Sequence, residues 1–296
     1  MKSTPTNQSV DQDPSKRDSP QKRSVVVATF NVHTGVDGWG RPYDLVGACR
    51  KIDADVLILQ ELWSRDDEAP AADAIATPLG YSVTSVALAT GRLTAPNPEA
   101  DHRWMKRRDL LHLNQAFYLD SPKPLPKRVR DSNRFRSGEP GSWCLAVLSR
   151  IPVEKTAVVD LGPVFRDSAR RHVILQRVTV DSRAMTVAGV HMSHLSSGSP
   201  VHFQRMRRAL NEFDPGVPSV VAGDMNLWGP PVEFLLPGWR RAVVAKTWPA
   251  WRPHSQVDHI LTHGPIAVES GEVLDPLGSD HRAVRATIGF SRPRTG

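Results

Sequence analysis

The residues best suited to chemistry follow an apolar run that starts at Val220 and ends in Gly-Asp-Met-Asn. Its β-branched residues predict a buried strand, and the two-residue period of a strand places Asp224 and Asn226 on one face with Met225 turned away. A carboxylate that can take a proton from water, beside an amide that can hold that water or a phosphate oxygen, would make a hydrolytic pair. The alternative is that both are turn residues, since Asp and Asn are common after strands.

Strand ends that carry an acid, an amide or an imidazole recur along the chain. One such strand end is weak evidence, but their recurrence favours the chemical interpretation over the turn. The further examples are Phe30-Asn31, Gln60-Glu61, Val190-His191, Val257-Asp258 and Ser279-Asp280-His281.

In their order, these segments resemble the motif set of the endonuclease/exonuclease/phosphatase superfamily, which includes deoxyribonuclease I, exonuclease III and bacterial sphingomyelinases. The similarity extends over residues 25–290 and implies an α/β (α+β) fold. That fold is a four-layer α/β/β/α sandwich, with two mainly antiparallel sheets face to face and helices outside. The resemblance also implies a site at one edge of the sandwich, where strand ends from both sheets meet. The motifs are ATFNVH with Asn31, LILQEL with Glu61, VAGVHMSH with His191, VVAGDMN with Asp224 and Asn226, QVDHIL with Asp258, and GSDHRAV with Asp280 and His281.

The resemblance implies a metal site at three of these positions. Glu61 would bind the ion, with Asn31 beside it and Asp280 near it. The residue types agree, because Mg²⁺, or Mn²⁺ in its place, takes oxygen ligands and often needs only one or two carboxylates. A surface ion pair is the alternative for Glu61 alone. Zinc is not indicated, since the eleven histidines form no tetrahedral pattern with the cysteines.

The resemblance also implies five catalytic residues. Asp224 would orient and deprotonate water for in-line attack on phosphorus, and Asn226 would fix Asp224 or a phosphate oxygen. His281 would contact the scissile phosphate, and Asp258 would orient His281 and sustain its protonated form. His191 would bind phosphate oxygens from the other side. A structural hydrogen bond is the alternative for Asp258 and His281, and which carboxylate is base and which is ligand stays open.

Length and composition favour a single domain. The 296 residues have 40% hydrophobic content and no interior linker, so they can bury one large core. Residues 1–23 are expected to be a disordered polar tail, residues 24–290 the catalytic domain and residues 291–296 a second tail. Because no stretch resembles a secretory signal or approaches the roughly 18 apolar residues of a membrane span, a cytoplasmic monomer is expected. Cys49 and Cys144 are expected to be buried small side chains rather than a disulfide or a metal pair.

The net charge of +7 is concentrated in residues 102–136, which we call the basic insertion. It holds ten Lys or Arg against three Asp and nets +7 by itself, so the rest of the chain sums to zero. This concentration favours a polyanionic partner, either nucleic acid or an acidic membrane surface, and a solvated loop without a partner is the alternative. Pro122, Pro124 and Pro126 predict that the middle of the insertion is extended rather than helical. The cations assigned to nucleic acid are Arg103, Lys106, Arg107, Arg108, Lys127, Arg128 and Arg130.

Hydrophobic periodicity predicts a mixture of strands and helices that begins with a βαβ unit. Helices are predicted at 43–52, 67–78, 200–213 and 231–236. Strands are predicted at 24–31, 55–61, 81–86, 143–149, 156–161, 172–180, 184–191, 257–262, 268–274 and 283–290, in addition to the strand that ends at Asp224.

The function expected from the sequence is divalent-metal-dependent hydrolysis of phosphodiester bonds, with nucleic acid favoured as substrate because of the basic insertion. A phospholipid or small-molecule phosphoesterase of the same family is the alternative, and a nucleic-acid-binding protein without turnover is a second one. Trp63, Trp228, Trp248 and Trp251 lie beside site motifs and could stack on bases, sit against lipid or pack at the rim. The tryptophans therefore do not select a substrate.

Overall fold

The computed structural model describes residues 24–94, 116–121, 125–165 and 167–291. The expectations for the tails at 1–23 and 292–296 lie outside these residues, as do those for Arg103, Lys106, Arg107, Arg108, Pro122 and Pro124. In the described part, the strands are β1 (Ser24–Asn31), β2 (Val56–Arg65), β3 (Ser82–Leu93), β4 (Phe117–Leu119), β5 (Glu139–Ser149), β6 (Val153–Asp160), β7 (His172–Val180), β8 (Arg183–His191), β9 (Ser219–Asp224), β10 (Arg240–Arg241), β11 (Asp258–His263), β12 (Ile266–Val273) and β13 (Val284–Phe290).

These strands form two sheets, one with seven strands in the order β12-β13-β1-β2-β5-β3-β4 and one with six in the order β10-β11-β9-β8-β7-β6. Each sheet is antiparallel except for one parallel pair, β1 with β2 in the first sheet and β8 with β9 in the second. A helix connects the strands of each parallel pair, because a parallel crossover needs a dozen or more residues. In each parallel pair, the carboxyl ends of the two strands therefore lie side by side at the same end of the sheet.

Helices cover the outer faces of the two sheets. The first sheet carries α1 (Leu45–Ile52) and α2 (Ala71–Leu79), and the second carries α5 (Ser199–Phe213) and α6 (Gly229–Leu235). Two short helices, α3 (Lys127–Arg130) and α4 (Asn133–Arg136), lie between β4 and β5. The predicted α/β/β/α sandwich is confirmed. No helix of the described residues is both long and apolar enough to cross a membrane.

Successive side chains of a strand point to opposite faces of its sheet, and the buried apolar side chains form three layers, one between the sheets and one on the outer face of each sheet. Val25 and Val27 of β1 face the second sheet, where they pack with Val220, whereas Phe30 faces α1. On the other side of the molecule, Phe203 of α5 packs against the outer face of the second sheet. Full burial of a side chain of this size stabilises the fold by roughly 1.5–3 kcal/mol. Because the inner layer contains many such side chains from both sheets, it fixes the position of one sheet, and of its strand ends, relative to the other.

Local sequence explains where several elements begin and end. Asp44 caps α1 by accepting from the N–H of Gly47 (2.8 Å), and Gly80 ends α2 with a φ of 70°. Asp181 and Ser182, both with positive φ, make the two-residue turn between β7 and β8.

The structure differs from the predicted elements mainly around the basic insertion. β3 extends to Leu93 instead of ending at Val86, and the short strands β4 and β10 were not predicted. Pro126 is itself extended, as predicted, with φ −53° and ψ 139°, and the short helix α3 begins directly after it, because a proline is tolerated just before a helix. Cys49 and Cys144 are free and buried, as expected.

Candidate active site

The polar strand ends of both sheets meet at one end of the sandwich. Asn31 is the last residue of β1, and His191 ends β8 opposite Asp224, the last residue of β9. Asp224 also pairs with Asp258, the first residue of β11. The Asn31 amide joins the two sheets, because its Nδ2 donates to Glu61 Oε1 (3.1 Å) and to Asp224 Oδ2 (3.0 Å). The topology therefore places side chains that are far apart in sequence within hydrogen-bonding distance.

Glu61 reaches the site through an irregularity in β2. The pairing of β2 with β5 shifts register between Leu59 and Leu62, and Glu61 has a φ of 58°. A left-handed backbone costs a residue with a Cβ roughly 1–3 kcal/mol, and bulges of this kind re-aim side chains beside functional sites. The preceding Gln60 is buried and exchanges hydrogen bonds with Thr29. The bulge thus lets one residue anchor the strand while the next turns towards the site.

Asp224 and Asn226 form a turn and a polar pair at once. The N–H of Asn226 donates to Asp224 Oδ1 (2.8 Å), and Asn226 has a φ of 48°. Its Nδ2 donates to the Met192 carbonyl (2.9 Å) and lies 3.2 Å from His191 Nε2. Since this amide is fixed as a donor by the carbonyl, His191 Nε2 accepts from it, whereas His191 Nδ1 is buried without a partner among the described residues. Met225 is buried in the outer core of the second sheet.

A buried carboxylate holds His281. Its Nδ1 donates to Asp258 Oδ2 (2.9 Å), and Asp258 is fully buried. Burial alone would lower the pKa of His281, but the charges of Asp258 and then Asp280 outweigh burial and raise that pKa well above its usual value. Thr247 fixes the start of β11, since its Oγ1 accepts from the N–H groups of Asp258 and the residue before it (both 3.2 Å). His281 is therefore kept protonated, with its Nε2 atom 4.0 Å from Asp224 Oδ2.

The carboxylates of this site carry more negative charge than the imidazoles balance. Burial and the neighbouring Asp258 raise the pKa of Asp224 to about 7. Burial also raises the pKa of Glu61. Burial and then the Arg171 charge lower the pKa of His191 well below its usual value, so this histidine is neutral. An excess of buried negative charge is what a bound divalent cation would relieve.

Two overlapping groups of side chains could hold such a cation. Glu61, His191 and Asp224 form one group, and Asp224, Asp258 and His281 form the other. Within each group the ligand atoms lie within 4.8 Å of one another. The first group fits a hard cation better, because its imidazole is neutral, whereas His281 is protonated and held by Asp258. Its mainly oxygen ligands suit Mg²⁺ and Mn²⁺.

Asp280 lies beside these groups rather than within them. Its Oδ2 accepts from Trp248 Nε1 (3.2 Å), and its Oδ1 is 3.7 Å from His33 Nδ1. Burial would raise the pKa of Asp280, but the charges of His33 and His281 outweigh burial and lower it. Metal binding by Asp280 stays a prediction, as it does for Asn31, whose Oδ1 accepts from the His33 N–H (3.0 Å).

A cavity of about 490 Å³ opens over these residues. Glu61, His191, Asp224, Asn226 and His281 line its polar side. A phosphoester with a substituent of several atoms fits a cavity of this size and mixed polarity. Aromatic, apolar and cationic residues contribute most of the remaining wall, among them Phe117, Leu119, Trp143, Arg171, His194, Trp228, Trp248 and Val257.

A comparison with protein families agrees with this geometry. The sequence profile of the Endonuclease/Exonuclease/phosphatase family matches residues 28–281, a range that includes every polar strand end described above. The chain belongs to this family. It is a phosphoesterase of the endonuclease/exonuclease/phosphatase type, as the order of its motifs predicted.

Solved structures of family members share the fold. An endonuclease/exonuclease/phosphatase from Beutenbergia cavernae is 21% identical, with a TM-score of 0.56 over 91% of this chain and 72% of that chain. The catalytic domain of human nocturnin, solved with a bound sulfate anion, is 15% identical, with a TM-score of 0.58 over 91% and 96% of the two chains. A mannosyl-6-phosphatase from Bacteroides thetaiotaomicron is 14% identical, with a TM-score of 0.61 over 90% and 100%. A search of curated proteins finds no match.

Arg171 is part of the family site in this chain, although the sequence did not indicate it. Its Nε donates to Asp167 Oδ2 (2.8 Å), and its Nη1 donates to the His191 carbonyl (3.3 Å). The guanidinium lies 5.0 Å from the centre of the Trp143 ring, which in turn lies 4.7 Å from that of His191. Arg171 and Trp143 therefore fix His191 from two sides. The sequence signal for Arg171 is its position beside Arg170 just before β7, and such a pair of arginines is equally typical of a solvated loop.

The remaining histidines and tryptophans are distributed between core and surface. His259 is buried, with its Nε2 bonded to the Leu227 carbonyl (2.9 Å), and is structural. His194 and His254 are exposed. Trp63 is buried as rim packing would predict, whereas Trp228 and Trp251 are about half exposed.

Proposed function

We propose that this protein is a divalent-metal-dependent phosphodiesterase that uses Mg²⁺ or Mn²⁺. The observation that carries the proposal is the row formed by Asp224, Asp258 and His281. It sets the buried Asp224 carboxylate 4.0 Å from Nε2 of His281, whose Nδ1 donates to the buried Asp258. At neutral pH the first can accept a proton from water while the second donates a hydrogen bond to a phosphate oxygen. If the hydrogen bond between Asp258 and His281 were only structural, the pair would not need Asp224 beside it.

The balance of charge in the cavity favours a diester over a monoester. Arg171 is its only arginine or lysine among the described residues, and Asp167 already pairs with it. A dianionic monoester needs more compensating charge than a monoanionic diester. His281 supplies one further positive charge, and neutral His191 supplies none.

Glu61 would hold the cation, with Asn31 and Asp280 completing its ligands as the family resemblance implies. Asp224 is near enough to Glu61 to share it. When bound, the cation would supply positive charge to the phosphate and the leaving oxygen.

The protein's own groups would orient water and phosphate. Asp224 takes the proton of the attacking water, while the N–H of Asn226 fixes one of its oxygens. His281 donates from Nε2 to a phosphate oxygen. The proposed phosphate contact of His191 requires a proton on Nε2, so the Asn226 amide, which now donates to that atom, must turn away when substrate binds.

Assays of bis-p-nitrophenyl phosphate and p-nitrophenyl phosphate, with and without EDTA, test this proposal. Hydrolysis of the diester should need added Mg²⁺ or Mn²⁺ and should be lost in Glu61→Gln, while the monoester turns over slowly. Diester hydrolysis that survives both chelation and Glu61→Gln would refute the metal mechanism. Faster turnover of the monoester would refute the assignment as a diesterase.

Nucleic acid is the first candidate substrate, on the basis of the basic insertion. In its described part, Lys127, Arg128, Arg130 and Arg136 are exposed to solvent. Exposed cations supply the salt-sensitive attraction on which polyanion binding rests. A cytoplasmic, monomeric state stays a prediction from the sequence.

A phospholipid is the second candidate substrate. It is favoured by a specific observation, the exposed apolar side chains at the site end of the second sheet.

A further inference from the structure

Most exposed aromatic side chains lie in loops at one end of the second sheet. Within the described residues the exposed aromatic side chains are Phe165, Trp228, Phe234 and Trp251, with exposed fractions of 75%, 53%, 84% and 49%. The loops at the opposite end of the second sheet, residues 181–182, 214–218 and 264–265, expose no large hydrophobic side chain. A concentration of exposed aromatic side chains at one end of a fold marks an interaction site.

Strand pairing places these side chains at the site end. Val173 at the start of β7 pairs with Val190 near the end of β8, and the ends of β8, β9 and the start of β11 are joined by the pairs His191–Asp224 and Asp224–Asp258. The four loops that adjoin these strand ends therefore emerge side by side. They are residues 161–171, 192–198, 225–228 and 247–257.

Each of these loops exposes one large apolar side chain. We call the set Phe165, Leu195, Trp228 and Trp251 the apolar rim. Because β7, β8, β9 and β11 are consecutive in the sheet and neighbouring strands lie about 4.8 Å apart, the rim spans roughly 15 Å.

The apolar rim borders the catalytic cavity. Trp228 and His194, the neighbour of Leu195, line the cavity wall. Trp251 packs against Gly38, where a Cβ would lie 2.5 Å from its ring and 3.2 Å from the Cβ of Asp280. Whatever covers the rim therefore also covers the mouth of the cavity.

The charges of these loops are mostly positive. The loops 192–198, 225–228 and 247–257 contain no Asp or Glu, and Arg252 is exposed without an ion pair among the described residues. In the loop 161–171, Asp167 is buried against Arg171, and Arg170 is exposed and pairs with Asp160. An apolar surface edged with arginine and poor in free carboxylates complements an anionic lipid surface.

Lipid fits this surface better than nucleic-acid bases do. Stacking on bases uses flat aromatic faces, which Leu195 lacks, whereas hydrocarbon accepts leucine, phenylalanine and tryptophan alike. Tryptophan is also enriched at the boundary between headgroups and acyl chains.

We propose that the apolar rim docks the protein on an anionic lipid bilayer, with Leu195, Phe165 and both tryptophans at the headgroup boundary. The cavity then faces the headgroups, and its substrate is a lipid phosphodiester. The identity of the substrate rests on the proposed phosphodiesterase function, whereas the docking does not.

Vesicle sedimentation in EDTA tests docking without turnover. Vesicles of phosphatidylcholine are compared with vesicles that also contain phosphatidylglycerol. The protein should bind the anionic vesicles, and Phe165→Ser with Leu195→Ser should weaken binding by about tenfold or more, since each loses apolar burial. Val158→Ser with Val268→Ser is the matched control, because these valines are similarly exposed on the edge strands β6 and β12.

A second readout does not depend on the stability of the double variant. Lipids brominated near the headgroup should quench tryptophan fluorescence, and Trp228→Phe with Trp251→Phe should remove most of that quenching while binding persists. The proposal is overturned by absence of vesicle binding, by binding that the rim variant leaves unchanged, or by Trp→Ala changes that weaken oligothymidylate binding but not vesicle binding. Vesicle binding without hydrolysis of any diester would refute only the proposed function, and hydrolysis of bis-p-nitrophenyl phosphate without vesicle binding would refute only the docking.

Discussion

The two flanks of the cavity differ in chemistry although each supplies part of its wall, Phe117 and Leu119 from the basic insertion and Trp228 from the apolar rim. Beside the first sheet, the described part of the basic insertion exposes cations, and Arg134 ties it to the end of β3 by donating to Thr94 Oγ1 (3.1 Å). Beside the second sheet, the apolar rim exposes hydrocarbon and few charges. Charge acts over about 8–10 Å and weakens with salt, whereas apolar burial requires contact and resists salt. Each flank therefore implies a different substrate class with a different salt dependence.

The largest effect should be independent of either flank. Asp224→Asn removes the proposed base, so kcat for bis-p-nitrophenyl phosphate should fall by about 10²–10⁴-fold, while binding of DNA or vesicles is retained. The exposed Asp66→Asn is the matched control and should keep the rate. Full substrate turnover by Asp224→Asn would break the premise that both flanks serve one catalytic centre, whereas absence of turnover in the unaltered protein with either metal would favour the prediction of a binding protein.

A somewhat smaller loss is expected from Asp258→Asn. The neutral amide can still bond to His281 but no longer sustains its charge, so kcat should fall by about 10²–10³-fold with little change in KM. Kinetics with the soluble diester measure the effect, because that substrate contacts neither flank. Circular dichroism is the control for folding. Loss of the fold at an unchanged rate per folded molecule would indicate that the Asp258–His281 bond is only structural.

Salt dependence separates the two flanks directly. If about five to seven cations of the basic insertion contact nucleic acid, log Kd should change with log salt by a slope of magnitude roughly four to six. Replacing Arg107, Arg108, Arg128 and Arg130 by Ala should flatten that slope by several units and leave vesicle binding through the apolar rim largely intact.

Removal of four cations elsewhere is the control for that experiment. Arg50, Lys51, Arg207 and Arg208 lie on α1 and α5. Their replacement by Ala should leave the slope unchanged. An equal flattening by both four-residue variants would mean that only net charge matters, and the contrast between the flanks would be lost for nucleic acid.

The sequence predicted the strand ends well because each carries a local signal. An apolar run that stops at a polar residue marks Asn31, His191 and Asp224 without any knowledge of the fold. The family order of the motifs then supplied the sandwich that brings them together. The turn at Asn226 confirms the turn interpretation and is compatible with the chemical one, which stays a prediction, because the turn aims the amide at His191.

What the sequence could not predict depends on contacts between distant segments. The positive φ of Glu61 arises from a register shift between β2 and β5, whose pairing spans about eighty residues. Arg171 gains its place from Trp143 and His191, and its own neighbours in sequence resemble a solvated loop. The apolar rim was equally hidden, because Phe165 and Leu195 are isolated apolar residues until strand pairing aligns their loops. Local sequence patterns thus predicted the polar strand ends, whereas the residues of the cavity wall are brought together by the register of the strands and cannot be predicted from such patterns.

The smallest effect should come from Thr247, which lies at the start of the loop that carries Trp251. Thr247→Val leaves two backbone N–H groups at the start of β11 without their acceptor. Unsatisfied buried donors cost about 1–3 kcal/mol each, and the strain should loosen Asp258, so kcat should fall by about tenfold. Thr247→Ser keeps the acceptor and should restore the rate. Because this loop contributes to the apolar rim and not to the basic insertion, vesicle binding should weaken by about twofold to fivefold while the salt slope for DNA stays constant. A change in the salt slope, or an undiminished kcat in Thr247→Val, would show that the loop does not couple the apolar rim to the Asp258–His281 pair.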